Sequence, residues 1–279
     1  MTSSEEKMMN DLPIGVFDSG VGGLTVAREI MRQIPNERII YFGDTARVPY
    51  GSKSRETVTK YASQIVRFLK QQKVKAIVVA CNTASAYALD RLEEETDIPM
   101  LGVVKPGAKT AVAATRNGKI GVIATEGTIG SQIYTRYIEE LNKGVEVLGK
   151  ACPLFVPLVE EGLLEDPVTD EIAQRYLSSL KNCGIDTLIL GCTHYPLIRS
   201  TLGRVMGEEV TLVNPAYETA RELKELLGKK ELLCPRKPAL GTNQYRFFVS
   251  DGAEKFQHFA NSIFKYGILS AKQINIEEY

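Results

Sequence analysis

The sequence carries no excess of either charge. Its 279 residues include 34 Lys and Arg against 34 Asp and Glu, a formal net charge of zero. That balance argues against a nucleic-acid footprint and against an anionic membrane surface as partner. A small anionic ligand needs only local donors and stays admissible. No apolar run approaches the length of a membrane span. The opening MTSSEEKMMNDLP is polar and lacks the apolar core of a signal peptide. Cysteine is sparse: Cys81, Cys152, Cys183, Cys192 and Cys234, an odd set with no C-x-x-C pair. In a chain this long and unsecreted, that set reads as free thiols in a reducing cytoplasm. The glycine-rich DSGVGGL is not followed by GKS or GKT, so a nucleotide P-loop is not expected.

What is present is an alternation of apolar runs with segments of helical period. Pro13 to Phe17, Arg38 to Phe42 and Lys75 to Ala80 read as buried strands. Between them, helices are expected at about Leu24 to Ile34 and from Ser54 to Gln72, with Ser54 as N-cap. In the longer one, Val58, Tyr61, Ala62, Ile65, Phe68 and Leu69 fall on one face. A further helix follows the third strand and runs to about Glu95. Such alternation means parallel sheets covered by helices.

The pattern then restarts. IGVFDSG at Ile14 is echoed by IGVIATEG at Ile120, and AIVVACNT at Ala76 by TLILGCTH at Thr187, at nearly equal offsets. Strands of any α/β protein look somewhat alike, but two pairs in one order, one with a cysteine at the same point, favour an internal repeat. The expected fold is α/β, with two similar lobes, each a mostly parallel sheet covered by helices, and an active site in the cleft between them. The lobes are placed at 11–105 and 106–215, with 216–279 returning to the first lobe. In that last part, Cys234 to Asn243 has loop composition, Tyr245 to Val249 could be a strand and Ala253 to Phe264 a helix.

Ligands of open parallel sheets sit beyond the carboxyl ends of the strands. Four polar loops fall there: Asp18-Ser19-Gly20, Asp44 to Gly51, Cys81-Asn82-Thr83 and Cys192-Thr193-His194. A thiol where a strand meets a helix N-terminus is placed to ionise, since the helix end lowers its pKa. Thr83 and Thr193, with adjacent backbone amides, can bind a carboxylate. Two opposed thiols around one carbon suggest proton removal from one face and return to the other, inverting a stereocentre. The rival use of Cys192, His194 and Cys81 is a metal site, but paired C-x-x-C spacing is absent. A non-catalytic amino-acid binding protein would also suit two facing lobes, and would have no need of the thiols.

The combination DSGVGGLT, PYGSKS, ACNTAS and LGCTHYP resembles the glutamate racemases of the aspartate/glutamate racemase superfamily. The likeness runs from about Ile14 to Pro215 and more loosely to about Phe264. It implies cofactor-independent interconversion of L- and D-glutamate, without pyridoxal phosphate or metal, supplying D-glutamate for peptidoglycan. It further implies that Cys81 deprotonates D-glutamate assisted by Asp18, and that Cys192 deprotonates L-glutamate assisted by Glu160 and His194. Ser19, Pro49, Tyr50, Gly51, Asn82, Thr83 and Thr193 match substrate-binding positions, as do Asp18 and His194. Thr125 and Thr128 lie where the family carries further hydroxyls, and the sequence does not choose between them. Spacing alone likewise does not separate Glu160 from Glu161. Family members form homodimers. Lys105, before Pro106-Gly107, departs from the familiar acidic or neutral residue, and a local effect is expected.

Other candidates read blandly. Cys152, Cys183 and Cys234 are expected to be inert. His258 is expected to be structural or on the surface, and Asp44 either caps its loop or supports the site from behind.

Overall fold

The computed structural model describes residues 9–235, 244–264 and 270–279. The first eight residues of the polar opening, and residues 236–243 of the loop expected from Cys234, lie outside the described residues.

Among the described residues, ten strands form two sheets. The first lobe contains β1 (Ile14–Asp18), β2 (Ile39–Gly43), β3 (Ala76–Val79) and β4 (Met100–Gly102). The second contains β5 (Lys119–Ala124), β6 (Glu146–Ala151), β7 (Thr187–Gly191) and β8 (Thr211–Val213). The chain then adds β9 (Tyr245–Val249), which pairs with β2, and β10 (Ala271–Gln273), which pairs with β9. The orders are β10-β9-β2-β1-β3-β4 and β6-β5-β7-β8. Without the two added strands, each sheet runs second, first, third, fourth. The repeat visible in the sequence is therefore a repeat of topology. All described pairings are parallel.

Why these runs become central strands follows from their composition. β1, β2, β3 and β7 are buried at every position, as strands covered by helices on both faces must be. Successive side chains alternate between faces. Ile14 and Val16 enter one apolar cluster with the helices Leu24–Gln33 and Pro215–Lys229, while Phe17 enters another with the helix Arg55–Gln71. Each fully buried side chain of this size contributes about 1.5–3 kcal/mol. Caps add less, about 1 kcal/mol. One is Ser54, whose hydroxyl accepts from Thr57 N at 3.3 Å.

The expected helix from the third strand to Glu95 is in fact two, Asn82–Tyr87 and Leu89–Glu94, broken at Ala88. Leu89 and Leu92 of the second helix pack in the cluster that holds Val58 and Phe68. Helix Ala253–Ile263 lays Phe256 against Tyr41, with ring centroids 5.7 Å apart.

Candidate active site

Strand parity places both thiols. Cys81 continues the face of Ile77 and Val79, and Cys192 continues the face of Leu188 and Leu190. Each sits at the carboxyl end of its strand, next to the central strand of its sheet, and each is almost closed off from solvent. They lie near enough that a charge on Cys192 raises the pKa of Cys81.

Their surroundings differ. Cys81 is the N-cap of the helix Asn82–Tyr87; its sulfur accepts from Ala84 N at 3.4 Å and its thiol donates to Ser19 Oγ at 3.7 Å. The helix end does not lower its pKa as the sequence suggested. Burial, aided by the charge of Asp18, outweighs these bonds and pushes the thiol up to about 12. Cys192 leads instead into a short 3-10 turn, Tyr195–Ile198. Its sulfur lies 3.8 Å from His194 Nδ1, and His194 Nε2 lies 3.1 Å from Glu160 Oε1. Burial by itself would lower the histidine, but its bonds to Cys192 and Glu160 prevail and raise it to about 10. A protonated ring donates from both nitrogens, which is what its two acceptors require. Glu160 is lowered in turn by the hydrogen bond from His194.

Asp18 is fully buried, and burial raises its pKa. Its Oδ2 accepts from Gly20 N at 3.0 Å, and Thr193 Oγ1 donates to Oδ1 at 3.5 Å. The side chain at the sulfur of Cys81 is thus Ser19, while Asp18 acts on both Cys81 and His194 through its charge.

Other polar groups cross between the lobes. Thr83 Oγ1 meets Thr125 Oγ1 at 2.9 Å and Thr128 Oγ1 at 3.2 Å, so both hydroxyls left open by the sequence join one cluster. Asn82 accepts from the Tyr134 hydroxyl at 2.7 Å. The Tyr50 hydroxyl is held by Asp44, and the backbone of the next residue, Gly51, lies against the other lobe. A Cβ on Gly51 would stand 2.6 Å from Thr125 Cβ. Pro49, after a cis peptide bond, is exposed.

Of the bland candidates, Cys152 shares the apolar cluster of Cys192, and His258 lines the cavity that reaches Glu160. Cys183 and His258 are exposed, and Cys152 is buried beside the Lys150 carbonyl. The ammonium of Lys105 lies over the Tyr137 ring, 5.0 Å from its centroid, a local surface contact. Among the described residues no cluster of three His, Cys, Asp or Glu could hold a metal ion. Nor is any described helix long and apolar enough to cross a membrane. A cavity of about 610 Å³ reaches Glu160 from outside, between Val48, Lys255 and Phe259.

Three supporting residues escaped the sequence reading. Tyr134 lies in IYTRYIEEL, outside every motif that marked the site. Tyr41, whose hydroxyl donates to Gly20 O at 2.8 Å, looked like a strand residue. Thr25 was the last letter of DSGVGGLT, and that placement was the available signal.

Comparison with known proteins gives the family and supports the fold. A glutamate racemase from Geobacter metallireducens is 50% identical over 264 residues, covering 95% of this chain and 97% of that one. The crystal structure of a glutamate racemase isoform from Bacillus anthracis superposes with a TM-score of 0.90 at 44% identity, over 94% of this chain and 97% of that chain. The glutamate racemase from Francisella tularensis, solved in complex with D-glutamate, gives 0.88 at 39% identity, over 97% and 100%. A sequence profile of the Asp/Glu/Hydantoin racemases matches residues 14–223. The chain belongs to the Asp/Glu/hydantoin racemase family.

Proposed function

We propose that the protein interconverts L- and D-glutamate by a two-thiol mechanism without pyridoxal phosphate or metal. The observation that carries this reading is the pair of buried thiols at matching strand ends of opposite lobes, close enough that charge on Cys192 raises the pKa of Cys81. Cys81 takes the α-proton of D-glutamate and Cys192 that of L-glutamate. The other thiol, protonated, returns a proton on the opposite face, so the pair is left with its protonation exchanged.

A thiol at about 12 is a poor source of thiolate in the empty site. The substrate ammonium brings the positive charge that the Asp18 side lacks, and so favours ionisation of Cys81 only once the amino acid is bound. On the other side, a positive charge is already built in: His194, backed by Glu160, stands with Nδ1 3.8 Å from the Cys192 sulfur. Carbanion charge falls to hydroxyl and amide donors: the Thr83–Thr125–Thr128 cluster, the Asn82 amide group held by Tyr134, and the Tyr50–Gly51 backbone. In a bacterial cytoplasm the product D-glutamate would feed peptidoglycan. The reading includes a homodimer, which light scattering on the eluted protein checks.

The experiment is incubation of the reduced protein with L-glutamate in deuterated water, with no added pyridoxal phosphate or metal. The circular dichroism signal of the amino acid decays to zero and deuterium enters Cα of the inverted product. Absence of decay with folded, reduced protein would sink the reading.

A further inference from the structure

Asp44, just after β2, is fully buried and is paired with Arg47. Arg47 Nε reaches both carboxylate oxygens, at 2.8 and 3.0 Å. The same guanidinium has other duties. Its Nη1 donates to Gln64 Oε1 and, at 3.1 Å, to Glu277 Oε1. Its central carbon stands 4.0 Å from the centroid of the Tyr61 ring. The Arg47 side chain is only 9% exposed, so its bonds to Asp44 and Gln64 are largely shielded from water, whereas Glu277, 59% exposed, holds it from the solvent side.

Asp44 passes this order on. It accepts from the Tyr50 hydroxyl, and from Ser250 Oγ at 2.8 Å, while its amide donates to the Asp18 carbonyl at 3.1 Å. The Tyr50 ring packs on Tyr61, with centroids 5.7 Å apart. Next in the chain, Gly51 lies so close to the second lobe that a Cβ on Gly127 would be 3.1 Å from its carbonyl oxygen. A displacement of a few tenths of an ångström at Tyr50 is therefore felt where Gly51 meets Thr125 and Gly127.

At the far end, Glu277 belongs to the turn Ile276–Glu278, which is seated on the helix Arg55–Gln71. Ile276 is buried there, the Tyr279 ring meets Phe68 at 5.3 Å, and Gln64 Nε2 donates to Glu277 Oε2 at 3.1 Å.

We infer that Arg47 is a positioning residue for the Tyr50–Gly51 backbone, and that the segment Ile274–Tyr279 is the outer half of the same brace. The inference rests on the reading of Tyr50–Gly51 as part of the substrate site. Lysine cannot replace Arg47, because one ammonium cannot span two carboxylate oxygens, an amide and a ring face together. A purely structural Arg47 would lower stability and leave substrate affinity alone.

Arg47→Lys tests this by two readouts. Expected is a rise in KM of about tenfold for both enantiomers with kcat held within about twofold, since binding geometry is loosened before chemistry. Amide exchange at residues 50–53 should quicken by about tenfold or more while β5 and β7 keep their protection. Adding Tyr50→Phe to Arg47→Lys should raise KM no further, because both act through Asp44. Should Arg47→Lys fail to fold, Gln64→Met, which removes one of the two Nη1 acceptors together with the amide's bond to Glu277 Oε2, is expected to move exchange and KM the same way. Unchanged exchange at 50–53, or a loss confined to kcat, overturns the inference. If the parent protein does not racemise glutamate, the functional reading fails by itself and the exchange result still decides the role of Arg47.

Discussion

The Thr25 hydroxyl of the first lobe lies 3.1 Å from the main-chain carbonyl of Thr193 in the second, and 2.9 Å from that of Gly22. One buried hydroxyl thus joins the glycine turn after β1 to the residue between Cys192 and His194. Thr25→Val keeps the shape and deletes the donor. The loss of stability should be about 1–2 kcal/mol, read from thermal melting. Because mirror images have equal free energies, kcat/KM must fall by the same factor from either enantiomer, and Thr25→Ser should restore it. An unaltered kcat/KM in the valine variant would deny Thr25 any part in holding the lobes together.

Gly22 makes a sharper demand. A Cβ there would lie 2.3 Å from Thr193 Oγ1 and 2.5 Å from His194 Nδ1. No rotamer change of a methyl can relieve that, so Gly22→Ala must push the two loops apart. Activity should fall by about a hundredfold with helix content intact, measured by racemisation rate and far-ultraviolet dichroism. Wild-type activity in this variant would mean that the loops part freely during turnover.

The two thiols are served differently, and single-base chemistry exposes the difference. Elimination of chloride from each enantiomer of a β-chloro glutamate needs only the thiol facing its α-hydrogen. His194→Gln should slow elimination from one enantiomer by about a hundredfold and spare the other. Cys192→Ser should impair that same enantiomer, and Cys81→Ser its mirror image. Equal effects of His194→Gln on both would remove the histidine from its place beside Cys192.

Alkali should unfold the protein in two stages. His194 is raised from 6.5 to about 10, so its contribution is complete below pH 6.5 and is lost as pH climbs through about 10. Cys81 and Cys152, raised from 9.0 to about 12 chiefly by burial, add a second loss between those values. The melting temperature should decline from pH 7 to 10, and His194→Gln should flatten that part of the curve. Cys152→Ala should flatten it only above pH 9. A wild-type curve that is level from pH 7 to 10 would contradict the coupling of His194 to its two acceptors.

Much of the architecture was legible because it rests on short-range patterns. Apolar runs ending in cysteine marked β3 and β7, and the echo between them anticipated the shared strand order. Side-chain parity along a strand then fixed which face each thiol takes. The bend at Ala88 was not legible, since Leu89 and Leu92 beyond it pack in a cluster with residues distant in the chain. The direction of the Cys81 shift was misjudged for a similar reason: a helix end can be seen in sequence, but the depth at which it is buried cannot. Thr25, Tyr134 and Arg47 act on partners far along the chain, and no local spacing announces such bonds.

The parallel strand orders of the two sheets have a geometric corollary. A half-turn that carried Cys81 onto Cys192 across the substrate carbon would also swap the places of two of its remaining substituents. The three are an ammonium, a carboxylate and a carboxyethyl side chain, no two alike, so no single lining can suit both members of an exchanged pair. Gene-like doubling can therefore furnish the two bases, yet the lining around them is obliged to diverge. Ser19 beside one thiol, and the His194–Glu160 pair beside the other, are where that obligation has been met.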